Sequence, residues 1–336
     1  LRVGGELCRT LAFDLRPRDF TPPEIPTPLL VNFNDEVELI GFNLPTRRIQ
    51  PGGRLPLDLY WRAKTYIGAD YLIFDNILDS QQQRWGGYDR RARDGYSTLL
   101  WAPNEVITDR FGVPVAPDAP AGIYTIDLGL YHKRESGPVS LPVLVEGQPT
   151  GQTSLRLGPI KIGGPPPNVV ASRVEPQIEL NQSFGSQITL LGYDLGLGNE
   201  TGPAVQAFSG DGSPLPADPA SPSNSSAGPA SLLPLTLYWQ AQTIPAADYT
   251  VFVHLRDRLN QNVAQQDQPP AQGQYPTSLW DAGEIIVDPV TLPLDPALPA
   301  GEYALVVGLY NLATGERLSA PALSNGELHL KTISLP

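Results

Sequence analysis

Leu233-Pro-Leu-Thr-Leu-Tyr-Trp239-Gln-Ala241 decides how this chain is read, because the same pattern stands earlier as Leu55-Pro-Leu-Asp-Leu-Tyr-Trp61-Arg-Ala63. In an extended strand, residues two apart share a face. Leu55, Leu57, Leu59 and Trp61 then point one way, and Pro56, Asp58, Tyr60 and Arg62 the other. The second copy puts Leu233, Leu235, Leu237 and Trp239 inward and Pro234, Thr236, Tyr238 and Gln240 outward. A period of two that ends on an indole fits the inner face of a β-sandwich and makes Trp61 and Trp239 core residues.

The duplication extends on both sides. Val37-Glu-Leu39-Ile-Gly-Phe-Asn-Leu44 precedes the first copy and Ile188-Thr-Leu190-Leu-Gly-Tyr-Asp-Leu195 the second, an offset of 190 − 39 = 151. The tryptophan strands are offset by 239 − 61 = 178. The extra residues fall in 196–231, rich in Gly, Pro, Ser, Ala and Asn, with little to bury against the entropy of ordering it; a flexible insertion is predicted there. Next come Ala69-Asp-Tyr71-Leu-Ile-Phe-Asp75-Asn-Ile-Leu-Asp79 and Ala247-Asp-Tyr249-Thr-Val-Phe-Val253-His-Leu-Arg-Asp257. Asp75 stands on the apolar face where the second unit has Val253, so either this edge is wetter or Asp75 has a role. Residues 81–93 carry the least strand signal. Pro120-Ala-Gly-Ile-Tyr124 and Pro299-Ala-Gly-Glu-Tyr303 resemble a tyrosine corner, in which the phenol bonds back to the loop backbone. Closing strands are predicted near 139–145, 153–162, 317–323 and 327–333.

A period near 178 is too long for a solenoid repeat and marks a duplicated domain. The predicted fold is all-β: two tandem immunoglobulin-like or jelly-roll-like antiparallel sandwiches, at 29–163 and 177–336. A proline-rich linker at 164–176 joins them. Residues 1–28 form an extended lead-in that reads as the end of a preceding unit, with a strand over 11–15.

Composition narrows the function classes. The chain has 336 residues with 37 Pro and 32 Gly, which suits short strands and many turns. Its formal net charge of −12 argues against general nucleic-acid or anionic-membrane binding. Cys8 is the only cysteine, which excludes an internal disulfide and a cysteine-built zinc site. There is no methionine, so a fragment or processed product is expected, and no apolar run is long enough to span a membrane.

Tyr249-Thr-Val-Phe-Val-His-Leu255, Tyr275-Pro-Thr-Ser-Leu-Trp280, Gly283-Glu-Ile-Ile-Val-Asp288 and Pro299-Ala-Gly-Glu-Tyr303 with Gly308-Leu-Tyr310 carry a resemblance. They resemble the uncharacterised β-sandwich domains that follow the membrane region of family-39-type glycosyltransferases and related envelope proteins of Chloroflexota-type bacteria. The likeness covers most of 180–334 and, more loosely, 30–162. It implies an exported, extracytoplasmic region beside glycan-building machinery, not the transferase itself. Any membrane contact would then come through parts of a parent chain outside this sequence.

No nucleophile elbow or P-loop occurs, and His132, His254 and His329 lack metal spacing. Asp79 and Asp257 end equivalent strands, and Glu105 with Asp109 recurs as Glu284 with Asp288. Such pairs have the chemistry for glycoside hydrolysis or for calcium, although turn formation and edge charge also explain them and no calcium loop of known spacing appears. Tyr96 with Trp101, and Tyr275 with Trp280, either stack on sugar rings or cap the core. The expected function is a non-catalytic module for spacing or docking, with envelope polysaccharide or protein as partner and aromatic loops as the glycan contact. A self-assembling surface or stalk module is the second reading, and an enzyme using the acid pairs the third.

Overall fold

The computed structural model describes residues 17–196, 231–320 and 323–335, together with the backbone of 2–3 and 6–7. The insertion predicted at 196–231 and the strand predicted over 11–15 lie almost wholly outside the described residues.

Unit one contains β1 (Thr27–Phe33), β2 (Val37–Asn43), β3 (Arg48–Ile49), β4 (Arg54–Ala63), β5 (Leu72–Leu78), β6 (Arg84–Gly86), β7 (Val106–Pro114), β8 (Gly122–Arg134), β9 (Gly137–Ser140), β10 (Val143–Val145), β11 (Gln148–Pro149) and β12 (Ser154–Ile162). One sheet runs β11-β10-β1-β2-β4-β7 and the facing sheet β3-β12-β8-β5-β6, with β9 also on β8. Unit two contains β13 (Val170–Ala171), β14 (Ile178–Phe184), β15 (Ile188–Leu195), β16 (Ser231–Ala241), β17 (Tyr249–Arg256), β18 (Asn262–Gln268), β19 (Ile285–Leu294), β20 (Gly301–Asn311) and β21 (Glu327–Leu335). Its sheets run β13-β19-β16-β15-β14 and β18-β17-β20-β21. Among the described residues only β3 pairs in parallel, with β12. Each unit is an antiparallel sandwich around its own apolar core.

The tryptophan strands sit at the centre of both cores. Trp61 lies opposite Leu39 on one side and Ile107 on the other; Trp239 lies opposite Leu190 and Ile286 in the same register. Leu55, Leu57, Leu59 and Trp61 are fully buried, which is the alternation that the period of two requires. Gly192 follows a bulge in β15, and a Cβ there would stand 2.3 Å from the Ile178 carbonyl oxygen. Gly41 takes the same place in β2, with the Thr27 carbonyl oxygen at 2.6 Å. No other residue fits that approach of backbone to backbone.

Tyr124 donates its phenol to the Pro120 carbonyl at 2.5 Å, and Tyr303 to the Pro299 carbonyl at 2.7 Å. Each bond pins the loop to the strand that follows it. Tyr303→Phe keeps the ring and loses the bond, so urea unfolding will show unit two less stable by about 1 kcal/mol.

Four readings change. The outward-facing Tyr60 and Tyr238 are buried. Ile25, from the lead-in, packs with Ile40, Tyr60 and Val106 over the outer face of the first sheet, so part of 17–28 is a strap on unit one. The stretch 164–176 is not wholly linker, because β13 pairs with Ile285 and Ile286. Of the strand predicted at 317–323, the described residues keep a single bridge, Arg317 to Tyr310.

Candidate functional site

Of the two readings of the aromatic pairs, sugar platform or core cap, their burial is that of core. Tyr96, Trp101, Tyr275 and Trp280 are each at most 2% exposed. Short 3-10 turns, Thr98–Leu100 and Thr277–Leu279, fold each tryptophan back under its own loop. The Trp280 indole donates to the Tyr275 carbonyl at 2.9 Å, and Thr98 and Thr277 tie the same turns to the backbone N–H of Tyr71 and Tyr249. These rings offer no face to a ligand.

The six acids considered for calcium or catalysis are distributed among structural tasks. Asp79 accepts from the backbone N–H of Gln81 and Gln83 and from the Trp85 indole, and Asp257 accepts from Leu259 and Gln261, both as turn formers. Glu105 and Glu284 each accept from a buried tyrosine phenol and from one loop N–H, that of Ala102 or Asp281. Asp288 accepts from the Trp239 indole at 3.0 Å and from the Ala271 N–H at 2.9 Å; Asp109 accepts from the Arg93 N–H. Among the described residues no group of three or more His, Cys, Asp or Glu side chains converges to hold a metal ion. Each of these acids is thus already engaged in hydrogen bonds within the protein.

Two places carry more than structure requires. The first is the junction of the units. Lys161, on β12, is 1% exposed, and its ammonium donates to the Tyr275 phenol at 2.6 Å, the Leu279 carbonyl, Asp281 and Glu284. Arg48 donates to Asp281 and to the carbonyls of Ser278 and Trp280, and Arg47 to the Ser278 hydroxyl. One edge of unit one thus plugs into the loop end of unit two. Burial alone would raise the Asp281 carboxyl, but Lys161 and Arg48 hold it below its ordinary range. In unit one Glu105, the counterpart of Glu284, receives Arg18 from the lead-in at 3.0 Å.

The second place is a buried charge cluster in unit one. Arg90 is sandwiched between Asp75, at 3.4 Å, and Asp109, at 2.5 Å, and its guanidinium lies 3.2 Å from the Phe111 ring centroid. Strand registers equate Asp75, Arg90 and Asp109 with Val253, Gln268 and Asp288. Burial pushes the Asp75 carboxyl up to about 6, against the opposing pull of the Tyr88 N–H and Arg90. Asp75 Oδ2, Arg90 Nη2 and the Trp61 indole lack hydrogen-bond partners. Arg90 and Asp109 of this cluster line a groove of about 790 Å³ walled by β5, β7, β8 and the segment 88–95.

The pattern of the sequence pointed to Asp75 and to neither arginine nor Lys161. The register of Arg90 against Ile73 was the missing signal, since 81–93 gave no clear strand. Compared with known proteins, the chain matches no family model and no curated protein.

Proposed function

We propose that this chain is a non-catalytic, extracytoplasmic pair of β-sandwiches that holds fixed spacing and orientation for docking at the cell envelope. The observation that carries this reading is the plug of Lys161 into Tyr275, Asp281 and Glu284. A buried ammonium with four partners is costly to expose, so the joint resists bending. The acids that an enzyme would need are already bonded to backbone, indole, phenol and cationic groups of the chain. The exported setting, and a partner among envelope polysaccharides or proteins, rest on the resemblance to regions beside glycan-building machinery.

Distances between spin labels test the joint. In a Cys8→Ser background, labels at Ser80→Cys and Thr314→Cys will give one narrow distance distribution. Lys161→Met will broaden it. A broad distribution in the parent rejects a rigid spacer.

One observation favours the self-assembling reading as second. Leu99 and Leu100 are 54% and 45% exposed, whereas their counterparts Ser278 and Leu279, at the end covered by unit one, are 8% and 0%. A further sandwich stacked on that end would extend the array. Sedimentation will then show concentration-dependent oligomers that Leu99→Asp with Leu100→Asp abolishes.

A further inference from the structure

We propose that the cleft of unit one binds an uncharged oligosaccharide. The inference is independent of the joint between units and rests on how the two copies differ. Where unit one has Asp75, Arg90, Arg110 and Phe111, the registers give unit two Val253, Gln268, Pro289 and Val290, and the same alignment carried two residues on sets Leu312 against Lys133. Arg90, Arg110, Phe111 and Lys133 line one groove, and the buried Asp75 pairs with Arg90. The core they border is otherwise kept in both copies, so fold stability does not require them. Unit one also carries their cost, in a buried ion triad and polar atoms left without partners.

The shape of the cleft argues for a linear ligand. The central depression shares Ala69 and His132 with a neighbour of about 490 Å³, and Asp94 and Arg110 with another of about 670 Å³. Three adjoining depressions that share wall residues offer neighbouring seats for consecutive rings of a polymer.

The chemistry argues for an uncharged polyol. Four aspartates and four Arg or Lys side chains line the central depression, so it offers no net field to an anion or a cation, in a chain whose formal charge is −12. Carboxylates and guanidinium groups side by side are acceptors and donors for paired hydroxyls. Half-buried Tyr88 and Phe111, edge to face with centroids 6.4 Å apart, give apolar surface for the C–H face of a sugar ring. Arg90, with a side chain 9% exposed, fixes Phe111 from beneath.

The test is an array of gluco-, manno-, galacto- and xylo-oligosaccharides, with uronate and sulfated chains and unrelated peptides alongside, followed by calorimetry on the full chain. The expected result is binding of at least one uncharged series, tightening from monosaccharide to trisaccharide. Phe111→Val, and separately Asp75→Val with Arg90→Gln, will weaken it about tenfold or more while circular dichroism and the unfolding transition stay those of a folded chain. Both variants write unit-two residues into unit one, so they preserve a packing the fold already uses. A parent that binds only charged sugars, only peptides or nothing overturns the assignment. So does undiminished binding by both variants.

Discussion

Arg90→Gln will lower the unfolding free energy of unit one by about 3–5 kcal/mol at pH 7, and adding Asp75→Val will restore most of the loss. The single change removes the one cation between two buried carboxylates, Asp75 and Asp109. Each is then left in the core with its charge uncompensated, or must take up a proton. The double change instead reproduces Val253, Gln268 and Asp288. There the lone carboxylate accepts from an indole and a backbone N–H. In unit one the Trp61 indole lacks a hydrogen-bond partner, because Asp109 is turned to Arg90. With Arg90 gone, Trp61 can donate to Asp109 as Trp239 does to Asp288. Replacing a buried ion pair by groups of matching shape is commonly neutral or stabilising, whereas breaking it on one side is not. Urea unfolding of the parent, the single and the double variants measures this directly. A double variant no more stable than Arg90→Gln alone would show that the cluster supports the fold, and that its divergence between units has a structural cause.

How far the sequence carried this reading depends on where each residue's environment comes from. Trp61, Trp239 and their leucines were legible because a strand's own period decides which face is buried. Tyr124 and Tyr303 were legible because their partners lie four residues back in the same loop. Trp101 and Trp280 were not, since they follow a turn where alternation stops and burial depends on how the loop folds over. Lys161 lies on a closing strand, and nothing in its local sequence marks it. It is buried only because the other sandwich covers that edge, a fact of tertiary packing that no local pattern holds. The same reason hid the lead-in. Tyr60 faces away from the sandwich core as its position requires, and is buried because Ile25 lies across it. Asp75 was conspicuous through comparison of the copies, and comparison in three dimensions also supplied its partners.

Between pH 4 and pH 8 the unfolding free energy of unit two will fall, on the order of 4 kcal/mol, chiefly through Asp288. This carboxyl is fully buried, and burial pushes it up to about 7 over the opposing pull of the Ala271 N–H, the Trp239 indole and Gln268. In the unfolded chain it titrates near its ordinary value of 3.8. Between those values the native state holds a proton that the unfolded state has released. The stabilisation is therefore complete below the unfolded value and is lost as pH rises through about 7. Asp75, raised to about 6, acts with the same sign in unit one and over a narrower window. Asp281 and Glu327, held low by Lys161 with Arg48 and by Arg256 with Arg317, act with the opposite sign, and only as pH falls below the ordinary carboxylate range. Together these place the stability maximum on the acid side of neutrality. Denaturant titrations at pH 4.5, 6 and 8 will show the decline, and Asp288→Asn will flatten it whatever the variant's stability at a single pH. A carbon-13 titration of the Asp288 carboxyl with its midpoint below pH 4, or a parent that gains stability from pH 5 to pH 8, would reverse the assignment. In that case the two N–H donors, rather than burial, set the charge of this residue.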